Sequence, residues 1–262
     1  MLFSLVVGVP VLLIVEKLLS LPTAVALLLF AVAGNGTLLW FLRRRYSGRW
    51  PGINMHGRVP GWLIVALPVL VLAADMVLSL IDLLHLPAFV SESTYQKLLQ
   101  LPVAAFLILC VAAPVLEELL LRGVVLQGLL RNFPDRPWVA IGQSALVFGV
   151  MHFNPPQSLA TFLLGVLMGW LYYRTRSLWL CIGVHFLNNL FASTSMLANK
   201  GVSRHEEVTA AFGAPWIYTA VVALSVLVLA GLLWRVHQTT TPPAEPVSKE
   251  AQPMVEARSP AE

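Results

Sequence analysis

Three short polar clusters interrupt otherwise apolar runs, and their residue types suit hydrolysis. The first is Glu117-Glu118-Leu119-Leu120-Leu121-Arg122-Gly123. Adjacent helical positions diverge by about 100°, so the two carboxylates face different ways. Glu118 and Arg122 are four apart, an ion-pair spacing. That pairing neutralises Glu118 and leaves Glu117 free to point into a helical bundle as a general base. The second cluster is Phe148-Gly149-Val150-Met151-His152, and the third is His185-Phe186-Leu187-Asn188-Asn189. His185 and Asn189 share one helical face, while Asn188 is turned away.

Each cluster also has a plainer reading. Glu118 and Arg122 can form a purely structural clasp, His152 can face a watery loop, and His185 with Asn189 can make an interhelical hydrogen bond. Together they supply a spare glutamate, two imidazoles and an amide from three helices. That inventory fits a base to activate water, with donors or a metal to stabilise an oxyanion. Ser144, Ser193 and Ser195 lack a base at a defined spacing, and no H-E-x-x-H pattern occurs. Serine and zincin chemistry are therefore disfavoured.

The elements that must hold these groups are membrane helices. Of 262 residues, 58% are hydrophobic and only 11% charged, against about 25% charged in a soluble domain. Mean hydropathy is +0.78. The basic residues lie in short groups between apolar runs, a topology pattern, so a pI near 9.3 does not point to nucleic acid. Cys110 and Cys181 both fall in apolar segments and read as packing residues. The N-terminus is apolar from Leu2 and lacks a basic region and cleavage site, which reads as a retained membrane segment. The C-terminus carries no lipidation signal.

A bilayer core of roughly 30 Å needs about 20 apolar helical residues. Eight segments qualify: Leu2–Leu19, Thr23–Leu42, Trp62–Leu84, Pro102–Leu121 (running on toward Leu130), Trp138–Phe153, Ser158–Tyr173, Leu178–Leu197 and Pro215–Trp234. The fifth and sixth are short. The expected fold class is all-α, a polytopic transmembrane bundle of about eight helices. N-terminal helices and loops occupy 1–100, a core 101–197 and a last helix 198–236. The polar, Pro-rich stretch 237–262 reads as a disordered cytoplasmic tail.

With both termini inside, the inner loops hold Arg43, Arg44, Arg45, Arg49, Arg58, Arg131, Arg136, Arg174, Arg176 and Arg235. The outer ones hold Lys97, Lys200 and Arg204, with Lys17 at an outer helix end. The positive-inside rule thus predicts cytoplasmic termini and an even number of spans.

At its polar clusters the chain resembles the CPBP family of intramembrane proteases, the type II CaaX prenyl protease and bacteriocin-processing group also called Abi proteins. The motifs E-E-x-x-x-R, F-x-x-x-H and H-x-x-x-N occur in order as Glu117-Glu118 with Arg122, Phe148 with His152, and His185 with Asn189. Gly123 and the pair Ser177-Leu178 also suit the family, and the resemblance covers roughly Pro102 to Leu197. It implies that Glu117 and His152 activate the hydrolytic water. His185 and Asn189 would stabilise the oxyanion, and Arg122 would hold Glu118. A zinc ion on Glu117, His152 and His185 is one option the resemblance leaves open, and a glutamate-dependent route without metal is the other; the reading favoured here is metal-optional. The implied partners are a membrane-associated peptide or protein substrate and the lipid bilayer, not nucleic acid. The expected location is the inner (plasma) membrane of a bacterium.

One conflict stands at this level. Counted from the inner surface at 1.5 Å per residue, His185 lies about 10 Å deep and His152 about 20 Å. Two rival classes also stand beside the protease: a non-enzymatic scaffold or bacteriocin self-immunity protein, and a transporter using the same groups as a proton relay. No inverted repeat supports the transporter.

Overall fold

The computed structural model describes residues 55–89, 102–199 and 213–242, with a few isolated positions outside them. The expected segments Leu2–Leu19 and Thr23–Leu42 lie outside the described residues apart from such positions, as does the tail from 243 onward. Among the described residues the chain is helical, without strands. It forms α1 (Gly61–Leu78), α2 (Pro102–Asn132), α3 (Pro137–Val150), α4 (Pro155–Thr175), α5 (Leu178–Asn199) and α6 (Pro215–Thr239). Four of these, α1 with its extension to Leu84, α2, α5 and α6, are long and apolar enough to cross a membrane.

Proline sets most of the starts. Pro60 precedes α1, and Pro137, Pro155 and Pro215 open α3, α4 and α6, where a missing N–H costs nothing. The end of α1 tightens into a 3-10 turn over Ser79–Leu84 before His85 turns left-handed. α3 stops at Val150, short of the expected Phe153, and His152 follows in a turn whose next residue, Phe153, has φ +50°. α6 instead runs past the expected boundary at Val236. Its last carbonyls find a donor there: buried Arg174, at the end of α4, donates to His237 O at 2.5 Å, to Thr240 Oγ1 at 3.0 Å and to Thr240 O. These are the groups a helix C-terminus leaves unpaired.

The helices pair antiparallel. α1 and α6 meet at both ends, through Arg235 over the Trp62 ring at 4.5 Å and Ser79 Oγ with Tyr218 OH at 2.9 Å. α3 and α4 form a close hairpin. A Cβ on Gly149 would stand 2.7 Å from Ser158 O, and one on Gly165 would stand 3.1 Å from Ala145 Cα, so these backbones meet where side chains are absent. Leu67, Leu70, Leu121, Phe148, Met168 and Val184 pack into one core that unites α1 to α5. Outward faces stay apolar; Val65 is 82% exposed. Trp62, Trp138, Trp179 and Trp234 stand at the helix ends that carry Arg131, Arg136, Arg174 and Arg235, as in an interfacial aromatic belt. An apolar cavity of about 490 Å³ between α1, α4 and α6 is lined by Ala74, Leu167, Trp170 and Leu229, among others. None of the candidate site residues lines it.

A further ionisable residue lies within a membrane-length helix, outside the three expected clusters. Asp75 in α1 is buried, one turn before Ser79. The chain is an integral, helical membrane protein.

Candidate active site

α2 carries the carboxylates, and its backbone is irregular around them. The α-helical stretch Ala113–Leu120 lies between two π-helical turns, Phe106–Ala112 and Leu121–Leu126. Such widened turns recur at functional sites. The physical cause of the first is readable. Ala113 N–H reaches back five residues to Ile108 O, and Pro114 has no N–H to offer. Neither residue supplies a donor to the Leu109 carbonyl. Asn189 does so from α5, donating Nδ2 to Leu109 O at 2.7 Å. Its own Oδ1 accepts from Asn188 Nδ2 at 3.0 Å.

Glu118 is fully buried and tied twice through one oxygen. Arg122 Nη1 donates to Glu118 Oε1 at 2.7 Å, and His185 Nδ1 meets the same oxygen at 2.9 Å. Glu118 Oε2 is buried without a protein partner. Arg122 is itself buried; its Nη2 donates to Gly165 O in α4 at 3.2 Å, and its Cζ sits 5.0 Å over the Phe148 ring. The carboxylate thus joins α2 to α5, and its arginine joins α2 to the α3–α4 hairpin. The spacing foretold the Glu118–Arg122 pair but not the bond to His185.

Glu117 points elsewhere. Its side chain is 19% exposed where that of Glu118 is 0%, and its Oε2 lies 3.9 Å from His185 Nε2. Since Nδ1–H is given to Glu118, Nε2 is the nitrogen of His185 left for chemistry. It can accept a proton as neutral imidazole or donate one as imidazolium.

His152 and His185 stand against the same ring. Phe148 is edge-to-face with His152 at 5.2 Å and with His185 at 5.5 Å. His152 Nδ1 is paired with Phe148 O at 2.9 Å, which folds the turn after α3 back onto it. This accommodates the difference in depth counted from the sequence: His152 lies a turn beyond Phe148, and the ring spans the gap. His152 is half-buried, not a freely solvated loop residue.

Among the described residues no group of three or more His, Cys, Asp or Glu side chains stands together as a ready-made ion site. Ser144 Oγ donates to Leu121 O at 3.4 Å, a helix-to-helix contact. Both cysteines are free and buried; Cys181 Sγ donates to Met168 O at 3.5 Å.

Residues 99–191 match the family model described as type II CAAX prenyl endopeptidase, Rce1-like. This stretch of the chain is similar to that endopeptidase family. All of Glu117, Glu118, Arg122, Phe148, His152, His185 and Asn189 fall within the matched stretch. No curated protein and no solved structure matches the chain. The match spans α2 to most of α5, the helices that assemble the cluster, and does not reach α1 or α6.

Proposed function

We propose that this protein is an intramembrane endopeptidase of the CPBP type that hydrolyses a peptide bond of a membrane-associated substrate. The observation that carries the reading is the division of labour between neighbouring carboxylates. Glu118 is spent on Arg122 and His185, whereas Glu117 is partly exposed and faces the remaining nitrogen of His185.

In this mechanism Glu117, assisted by His152, takes a proton from a water molecule. The hydroxide attacks the scissile carbonyl carbon. His185, as imidazolium, donates from Nε2 to the oxyanion that forms. The amide hydrogen of Asn189 not given to Leu109 is a second donor. Glu117 then passes its proton to the leaving amine, and the C–N bond breaks. Glu118 fixes the orientation and tautomer of His185, as a carboxylate does behind a catalytic histidine, and Arg122 keeps Glu118 in place. No step in this reading is routed through a metal. Both termini face the cytoplasm in this reading, with the arginine-bearing helix ends inside.

The test is cleavage of a library of lipid-anchored peptides by protein purified in detergent, with products read by mass spectrometry in ¹⁸O-labelled water. One labelled oxygen in the new C-terminal carboxylate is expected. Intact peptides throughout, from a folded protein, would favour the scaffold reading.

A further inference from the structure

Resting on that reading, we infer that Asn189 is also a positioning residue: it selects the π-helical register of α2 that turns Glu117 toward His185. Two registers compete at Pro114. In the α register Ala113 N–H would bond Leu109 O, and the carbonyl orphaned by the proline would be that of Cys110. In the π register Ala113 N–H bonds Ile108 O, as observed, and the orphan is Leu109 O. A buried carbonyl without a donor is costly, so the register whose orphan is satisfied prevails.

Asn189 satisfies Leu109 O at 2.7 Å, and Asn188 holds the amide the right way round by occupying its oxygen. The consequence reaches the catalytic carboxylate. Glu117 follows Pro114 by less than one turn, and a one-residue change of register rotates everything beyond it by about 100°. In the α register Glu117 would leave His185, and the Glu118–His185 bond could not form as it does. Pro114, Asn188 and Asn189 thus act as one device that sets the aim of both carboxylates.

Replacing proline by alanine supplies the missing N–H, which in the observed register reaches Leu109 O and makes the asparagine dispensable there. The experiment is a cycle of wild type, Pro114→Ala, Asn189→Ala and the double variant, each purified in detergent. Asn189→Asp, of the same shape but without the donor, stands in should Asn189→Ala fail to fold. The unfolding midpoint and kcat on a cleaved peptide are both measured. Asn189→Ala is expected to lower the midpoint by about 2–4 °C in the wild-type background and by less than half of that beside Pro114→Ala. It is expected to lower kcat by about 10²-fold or more in the wild-type background and by roughly tenfold less beside Pro114→Ala, where the new N–H satisfies either register and Asn189 no longer selects between them. Equal losses in both backgrounds would overturn the inference, and so would coupling in the midpoint with no coupling in kcat. Should the wild type cleave nothing, the protease reading falls, and with it the inference's claim on catalysis; the midpoint cycle still decides whether Asn189 and Pro114 are coupled.

Discussion

His185 Nδ1 and Glu118 Oε1 stand 2.9 Å apart across 67 residues of chain, and this bond determines which nitrogen of the imidazole faces Glu117. In the proposed mechanism it aims the Nε2 of His185 at the reacting centre. The same oxygen receives Arg122, so one buried carboxylate fixes the angle between α2 and α5.

Removing the arginine should therefore be severe. Arg122→Met leaves Glu118 buried with its charge poorly balanced, a loss of about 3–5 kcal/mol. Adding Glu118→Gln should recover most of that stability in a detergent unfolding assay. It should not recover hydrolysis, because the bond that directs His185 is weakened. A double variant as unstable as the single one would contradict the clasp.

The α3–α4 hairpin should be intolerant of one methyl group. Gly149→Ala places a Cβ against the Ser158 carbonyl, a backbone atom that cannot swing aside. Overpacking of this kind costs about 1–3 kcal/mol. Because Phe148 is the adjacent residue, the variant should also lose activity at temperatures where it remains folded. An unchanged midpoint would show that the helices separate freely.

Tyr218→Phe offers a contrast far from the site. It removes the bond to Ser79, but Ser79 Oγ keeps its bond to Met76 O at 2.7 Å. Membrane hydrogen bonds of this type average about 0.6 kcal/mol. A small drop in the midpoint with unaltered hydrolysis is expected; loss of activity would give the Asp75 side of the bundle a catalytic role.

Exhaustive chelation, with total metal then measured on the purified protein, should leave hydrolysis intact, because the proposed mechanism draws its base and its donors from side chains. Loss of activity restored by zinc would show that these groups close on an ion.

The sequence revealed what depends on spacing along one helix. Glu118–Arg122, the buried cysteines and the helical segments from Trp62 onward follow from periodicity and hydropathy alone. The bond from Glu118 to His185 does not, since it depends on the rotation of α5 against α2. Asn189 was legible as a polar group at depth with its bland reading, an interhelical hydrogen bond. Its acceptor could not be foreseen, because Leu109 O is unpaired only when α2 adopts the wider turn before Pro114. Asp75 has a plain signal, an acid in the middle of an apolar run. Arg174 read as a loop charge, yet it caps α6, a role that requires two helix ends to meet in space.

Hydrolysis by the Glu117→Gln variant tests the central claim most directly. Wild type and variant are reconstituted in vesicles at equal amounts, matched for unfolding midpoint, and given the same anchored peptide. The variant is predicted to be as folded as the wild type, with kcat lowered by at least about 10²-fold. A folded Glu117→Gln protein that cleaves at the wild-type rate would contradict the account.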